Sequence, residues 1–167
     1  AASDWPQFRG PERDGVSRET GLALSWGDGG PDVLWRVPLG SAYSGLSVVA
    51  DRLYTMESRD GREYVVALDV ADGSRIWSVE VGPAWDDRWS KGPRSTPTVG
   101  AGRVFAVGSK GRLVAIDAAD GALRWSIDLV ETYGADVPRW GVSTSPLVHD
   151  GRLFVPVGGK QALAMAF

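Results

Sequence analysis

An eleven-residue stretch, Ala67-Leu68-Asp69-Val70-Ala71-Asp72-Gly73-Ser74-Arg75-Ile76-Trp77, returns almost intact 48 residues later as Ala115-Ile116-Asp117-Ala118-Ala119-Asp120-Gly121-Ala122-Leu123-Arg124-Trp125. Self-similarity at a fixed spacing restricts the chain to a repeat architecture, in which each unit buries its apolar surface against the next. Each copy reads as an apolar strand ending in Asp, a tight Asp-Gly turn, and a second strand bearing Trp. Asp-Gly between two apolar runs is a hairpin signal, because the turn needs a positive φ and Gly supplies it without steric cost.

Two further markers extend the unit upstream. Ser44-Gly45-Leu46-Ser47-Val48, Ser95-Thr96-Pro97-Thr98-Val99 and Thr144-Ser145-Pro146-Leu147-Val148 align at intervals of 51 and 49 residues. Asp51-Arg52-Leu53-Tyr54, Gly102-Arg103-Val104-Phe105 and Gly151-Arg152-Leu153-Phe154 keep the same spacing. Each unit therefore holds four short apolar runs separated by turn residues. Four strands in roughly 50 residues is one propeller blade, so the predicted fold class is all-β, a β-propeller of four-stranded blades.

The pattern Ala-x-Asp-x-x-Thr-Gly-x-x-x-Trp resembles the tryptophan-docking repeat of the quinoprotein propellers, with Asp72 and Asp120 in place of Thr. The opening Asp4-Trp5-Pro6-Gln7-Phe8-Arg9-Gly10-Pro11, followed by Asp14-Gly15-Val16-Ser17, is similar to that of a bacterial branch of pyrroloquinoline-quinone-binding-like propellers. The resemblance covers nearly the whole chain. It implies a ring of about seven or eight blades, of which this chain carries about three, and an exported protein, periplasmic or extracellular.

Residues 1–33 hold Trp5, Phe8 and Trp26 among Gly, Pro and charges without a sustained period, and read as an extended arm lying on the blades. A short helical turn near Thr20 to Leu24 is the most regular structure expected there. The partial propeller spans 34–167, with blades at about 43–79 and 95–128. A third, 143–167, lacks its Trp-bearing strand, whereas 34–39 around Trp35 is such a strand with no blade of its own. Strand 34–39 or its equivalent is expected to complete the third blade, in the same ring or by self-association of copies, because an open edge is a liability that closure removes.

A net charge of −3, with only Lys91, Lys110 and Lys160 as lysines, offers no basic patch for nucleic acid. The sequence has no run of 18 apolar residues to span a membrane. Zero cysteines exclude disulfides, thiolate metal sites and thiol nucleophiles. Lone His149 precedes Asp150-Gly151 and reads as a turn residue, with no second ligand at metal spacing.

Asp69 and Asp117 recur at one place in successive units, which suits local turn geometry better than an acid and base in inequivalent environments. Trp35, Trp77 and Trp125 read as structural docking residues that fill gaps between blades. The candidate binding residues lie where the longer loops enter the first strand of a unit, at the expected channel mouth. They are Arg94, Ser95, Thr96, Arg139, Trp140, Ser143 and Thr144, with Trp85 and Trp89 in the loop above. Arg, Trp and small hydroxyls there suit an anionic or aromatic ligand, although close packing near the axis also demands small residues. Asp86, Asp87 and Arg88 read as a solvated loop pair, since a hard cation needs six to eight oxygens.

The leading functional expectation is a non-catalytic binding or scaffold module for a protein or carbohydrate partner, similar in general role to the propeller lipoprotein of outer-membrane barrel assembly. A structural subunit of a larger assembly is a related reading. The alternative is a fragment of an alcohol or sugar dehydrogenase carrying pyrroloquinoline quinone with calcium. In that family the resemblance implies a vicinal disulfide and Glu, Asn and Asp ligands, yet this chain has neither Cys nor Asn.

Overall fold

The computed structural model describes residues 3–87, 90–159 and 163–167. The first blade is built from β1 (Ser47–Val49), β2 (Arg52–Arg59), β3 (Arg62–Asp69) and β4 (Arg75–Pro83), hydrogen-bonded in that order. The second repeats it with β5 (Thr98–Gly100), β6 (Arg103–Val107), β7 (Arg112–Asp117) and β8 (Leu123–Asp128). The third contains β9 (Leu147–His149), β10 (Arg152–Pro156) and β11 (Ala164–Ala166). All pairings are antiparallel, as expected of propeller blades.

The apolar pattern explains the stacking. Val65, Val66, Ala67 and Leu68 in β3, and Leu113 through Ile116 in β7, are all buried, because a middle strand has packing partners on both faces. Tyr54, Met56, Trp77 and Val81 of the first blade meet Val104, Ala106, Val114 and Ile116 of the second in one core. A second core joins Phe105, Val107 and Leu113 to Leu153, Val155 and Val157 of the third blade. The first strands of the three units are short and small because they converge. A Cβ on Gly100 would lie 3.0 Å from Val148 Cγ1.

The repeated hairpins are alike in detail. Gly73 N–H donates to Asp69 O at 2.9 Å and Gly121 N–H to Asp117 O at 3.0 Å. Asp69 Oδ1 accepts from Ala71 N–H at 2.8 Å, and Asp117 Oδ1 from Ala119 N–H at 2.9 Å. Gly73 and Gly121 have φ of 73° and 75°, the left-handed conformation the turn requires. Arg124 also donates to Asp117 at 2.7 Å, and that bond, with the backbone N–H, holds the carboxyl below its ordinary range.

No helix forms at Thr20 to Leu24. Gly21 sits at φ 74°, outside the right-handed region, and Leu22 and Leu24 remain exposed with no surface to pack against. The helix among the described residues is instead α1 (Leu129–Tyr133), between the second and third blades. Asp128 caps it by accepting from Val130 and Glu131 N–H, Gly134 ends it at φ 63°, and buried Leu129 anchors it.

The arm crosses the first strands. Trp5 and Val48 exchange backbone hydrogen bonds at 2.7 and 2.9 Å, Val99 N–H donates to Pro6 O at 2.8 Å, and Asp4 Oδ1 accepts from Ala50 N–H at 2.9 Å. Residues 4–6 thus tie the first blade to the second. The chain then turns at Gly10, directly under the Trp5 ring.

Candidate functional site

The segments 43–45, 94–96 and 143–145 enter β1, β5 and β9 side by side, which brings repeat-related hydroxyls together. Ser44 Oγ donates to Ser95 O at 2.8 Å, Gly45 N–H to Thr96 Oγ1 at 3.2 Å, and Thr96 N–H to Ser145 Oγ at 2.9 Å. Deeper in, Ser47 Oγ donates to Pro97 O at 2.5 Å and Thr98 Oγ1 to Pro146 O at 2.7 Å. Much of the hydroxyl content therefore serves blade-to-blade bonding. Two oxygens do not: Ser95 Oγ and Thr144 Oγ1 are enclosed with no hydrogen-bond partner among the described residues.

Above this ladder lies a cavity of about 430 Å³. Arg94, Thr96, Ser143 and Thr144 line it, joined by Phe8 and Arg13 from the arm and by Tyr43. Its charged lining is thus two arginines and no carboxylate. Arg13 makes a long 3.4 Å contact with Gln7 Oε1 and keeps donors free.

Arg94 is held in place. Nη1 donates to Gly92 O at 3.0 Å, Nη2 donates to Ser90 Oγ, and the guanidinium lies 5.5 Å from the Tyr43 ring centre and 5.8 Å from that of Trp85. Lys110 Nζ stands 4.9 Å from the Trp85 ring, so that indole faces two cations. Trp85 Nε1 donates to Asp87 Oδ2 at 2.7 Å. Arg139 lies 4.9 Å over Trp140, and Tyr43, Trp140 and Arg94 border a shallower recess with Ser90. Ser95, although adjacent in sequence, is fully buried beneath the cavity. Trp89 and Arg88 lie outside the described residues.

Two buried carboxylates near the mouth have no counterpart in the second unit, where Gly108 and Gly111 take their places. Glu63 accepts from Ser109 N–H at 2.8 Å, from Ser109 Oγ and from Trp85 N–H at 3.1 Å, tying the long loop to the second blade. Glu57 pairs with Arg75 at 2.6 Å and Arg59 at 3.1 Å and accepts from Gly40 N–H at 2.9 Å. Burial opposes its ionisation, but the hydrogen bonds from Arg75 and Gly40 and the two positive charges prevail and lower its pKa.

The three docking tryptophans differ in what covers them. Trp77 Nε1 donates to Ala118 O at 3.2 Å and Trp35 Nε1 to Val70 O at 2.8 Å. Trp125 packs on Phe105 and Phe167 at centroid distances of 6.1 and 6.3 Å.

The donor set does not fit calcium with pyrroloquinoline quinone. Hard cations take six to eight oxygen ligands, often carboxylates, whereas the mouth presents arginines and hydroxyls. Among the described residues no three His, Cys, Asp or Glu side chains converge to hold a metal.

A family model described as outer membrane protein assembly factor BamB matches residues 61–166, well over half of the chain. Among solved structures, BamB from Moraxella catarrhalis is 20% identical with a TM-score of 0.55, covering 80% of this chain and 36% of that one. Quinohemoprotein alcohol dehydrogenase from Comamonas testosteroni is 21% identical with a TM-score of 0.65, covering 93% of this chain and 23% of that one. A europium-containing methanol dehydrogenase gives 21% and 0.51, covering 69% and 20% respectively. These likenesses establish the propeller fold, and the chain spans only a minor part of each structure. No curated protein matches the sequence.

Proposed function

We propose, from the premise that this chain belongs to the family of the outer membrane protein assembly factor BamB, that it is a non-catalytic binding and scaffold propeller, exported to the periplasm or beyond. Its partner is a protein bearing an acidic segment, received at the mouth. The observation that carries this reading is the cavity bordered by Arg13 and Arg94, with no carboxylate in its lining. Phe8, Tyr43 and Trp140 at and beside its rim are 49%, 63% and 46% exposed. Exposed aromatics beside arginine are the composition of protein-binding hot spots, and a fixed guanidinium prefers a carboxylate. Among the described residues no helix is long and apolar enough to cross a membrane. A carbohydrate would use the hydroxyls and aromatics but leave both arginine charges without a counterpart.

Calorimetric titration of the chain with a glutamate-rich peptide tests this. Saturable binding is expected, weakening as salt rises from 50 to 200 mM, and falling roughly tenfold in Arg94→Ala for loss of one charge-assisted contact. No binding, or binding equally tight in Arg94→Ala, overturns the assignment of the mouth. Reduction of a dye by an alcohol, dependent on added quinone and calcium, overturns the non-catalytic reading.

A further inference from the structure

Beside the mouth cavity lies the recess of about 420 Å³ walled by Tyr43, Ser90, Arg94 and Trp140. Tyr43 and Arg94 also line the cavity, so the two spaces adjoin across one guanidinium. Their chemistry differs. The cavity adds Arg13 and the hydroxyls of Thr96, Ser143 and Thr144, whereas the recess adds the Trp140 indole and Ser90. Both rings of the recess are exposed and both stand beside a cation, Arg94 at 5.5 Å from the Tyr43 ring centre and Arg139 at 4.9 Å from that of Trp140. Exposed apolar surface rimmed by polar groups marks a place where a partner is received.

The walls come from the segments that enter all three units, and backbone bonds join them. Tyr43 N–H donates to Pro93 O at 2.8 Å, next to Arg94. Gly92 N–H donates to Trp85 O and Val142 N–H to Ser109 O, each at 2.9 Å. Glu63 completes the set. It accepts from Trp85 N–H at 3.1 Å and from Ser109 N–H at 2.8 Å, so one buried carboxylate fixes the loop carrying Arg94 to the loop carrying Trp140. Gly141, at φ 77°, packs between them, and a Cβ there would lie 3.2 Å from Ser109 Cβ and from the Trp85 ring. Burying a carboxylate on neutral donors is unfavourable, and the second unit has glycine in its place, so this departure from the repeat points to function more than to blade geometry. A recess already built costs less to fill than one a ligand must assemble.

We propose that this recess is a specificity pocket, which receives an aromatic side chain of the partner's acidic segment beside the carboxylate that Arg94 holds. The pocket rests on the reading of the mouth given above and narrows its partner from any acidic segment to one bearing an aromatic residue. Arg94 uses donors on Gly92 O and Ser90 Oγ, and a guanidinium has five, so others remain for a carboxylate at the shared wall. The adjoining residue of an extended peptide points the opposite way, out of the cavity and across Arg94 to the recess. There two rings and a guanidinium favour an aromatic face over a charged group. The recess lining carries no carboxylate, and those of the neighbouring loop are engaged, Asp86 with Lys91 and Asp87 with Trp85 Nε1.

Calorimetric titration with two capped peptides of equal length tests the pocket, one all glutamate and one identical but for a single central phenylalanine. The second should bind about tenfold more tightly although it carries one charge fewer, the gain expected from burying one aromatic side chain. In Trp140→Ala that preference should vanish, and Trp140→Phe should restore most of it. Arg13→Ala should weaken both peptides and keep the preference. Equal affinities in the parent, with the dependence on Arg94 retained, overturn the pocket and leave the acidic reading of the mouth standing. So does a preference that survives in Trp140→Ala. Binding of neither peptide overturns both.

Discussion

The indole of Trp77 lies so close to Gly121 that a Cβ on that glycine would stand 2.8 Å from the ring's Cγ. Gly121 must also hold φ 75°, so two separate constraints meet at one residue. Gly61, at φ 73°, has nothing within 4 Å of its Cβ direction and carries only the second constraint. Gly61→Ala should therefore destabilise by about 1 kcal/mol, the penalty of the left-handed region. Gly121→Ala should lose roughly 2 kcal/mol more, because the Trp77 indole has to leave the blade interface. Urea denaturation of the two variants separates the terms, and equal losses would mean that the indole contact contributes nothing.

The buried hydroxyls divide in the same way. Ser47 Oγ is fully buried and bonded to Pro97 O, whereas Ser95 Oγ is enclosed with no partner. Ser47→Ala should lower stability by about 1 to 2 kcal/mol, since it removes a buried donor and leaves the carbonyl in its place. Ser95→Ala removes a hydroxyl that is desolvated without compensation, so it should leave stability unchanged or raise it slightly. Denaturation midpoints moving in these opposite senses would support the ladder, and equal losses would count against it.

Glu57 gives the blade a defined acid sensitivity. Its carboxyl titrates lower when folded than its ordinary value of 4.5, because Arg75, Gly40 and Arg59 favour the ionised form despite burial. A lowered folded pKa means the native state binds fewer protons than the unfolded chain. The contribution is therefore present above the ordinary value and disappears as pH falls through the lowered one. Glu57→Gln should lose about 2 kcal/mol at pH 7 through weakened charge-assisted bonds, with the gap to the parent narrowing below pH 4.5. Chemical denaturation between pH 7 and pH 3 checks the sign, and a gap that widens on acidification would contradict it.

How far these features can be seen in the sequence depends on whether they repeat. Strands β2 to β4 and β6 to β8, the Asp-Gly hairpins and the gathering of Arg94, Thr96, Ser143 and Thr144 all follow from the spacing of equivalent residues. Features outside the repeat are hidden for physical reasons. A five-residue helix such as α1 has no periodicity and depends on the Asp128 and Gly134 caps. Glu57 and Glu63 sit in alternating strand positions that read as solvent-facing. Their burial depends on Arg75 reaching Glu57 from β4, two strands away in the sheet, and on Ser109 reaching Glu63 from the next blade. Phe8 and Arg13 reach the cavity only because the arm pairs with β1, and no local pattern in 1–33 reports that pairing.

The arm itself makes the last prediction. Gly10 sits at φ 81°, and a Cβ there would lie 2.7 Å from Cη2 of Trp5, so the turn closes only over a glycine. Trp5 O accepts from Val48 N–H, and Pro6 O accepts from Val99 N–H. These two amides lie on different blades and are bonded only through the arm, so they report its docking separately from the sheets. In Gly10→Ala the turn and the indole compete for the same space, and the arm should lift from both blades while β2, β3, β6 and β7 stay paired. Hydrogen exchange should then speed up at Val48 and Val99 by about tenfold or more, corresponding to a loss of about 1.4 kcal/mol in local opening free energy. Amides in the buried middle strands, such as Val65 and Val114, should keep their protection. Uniform acceleration across all four amides would mean instead that the arm is part of the cooperative core of the blades.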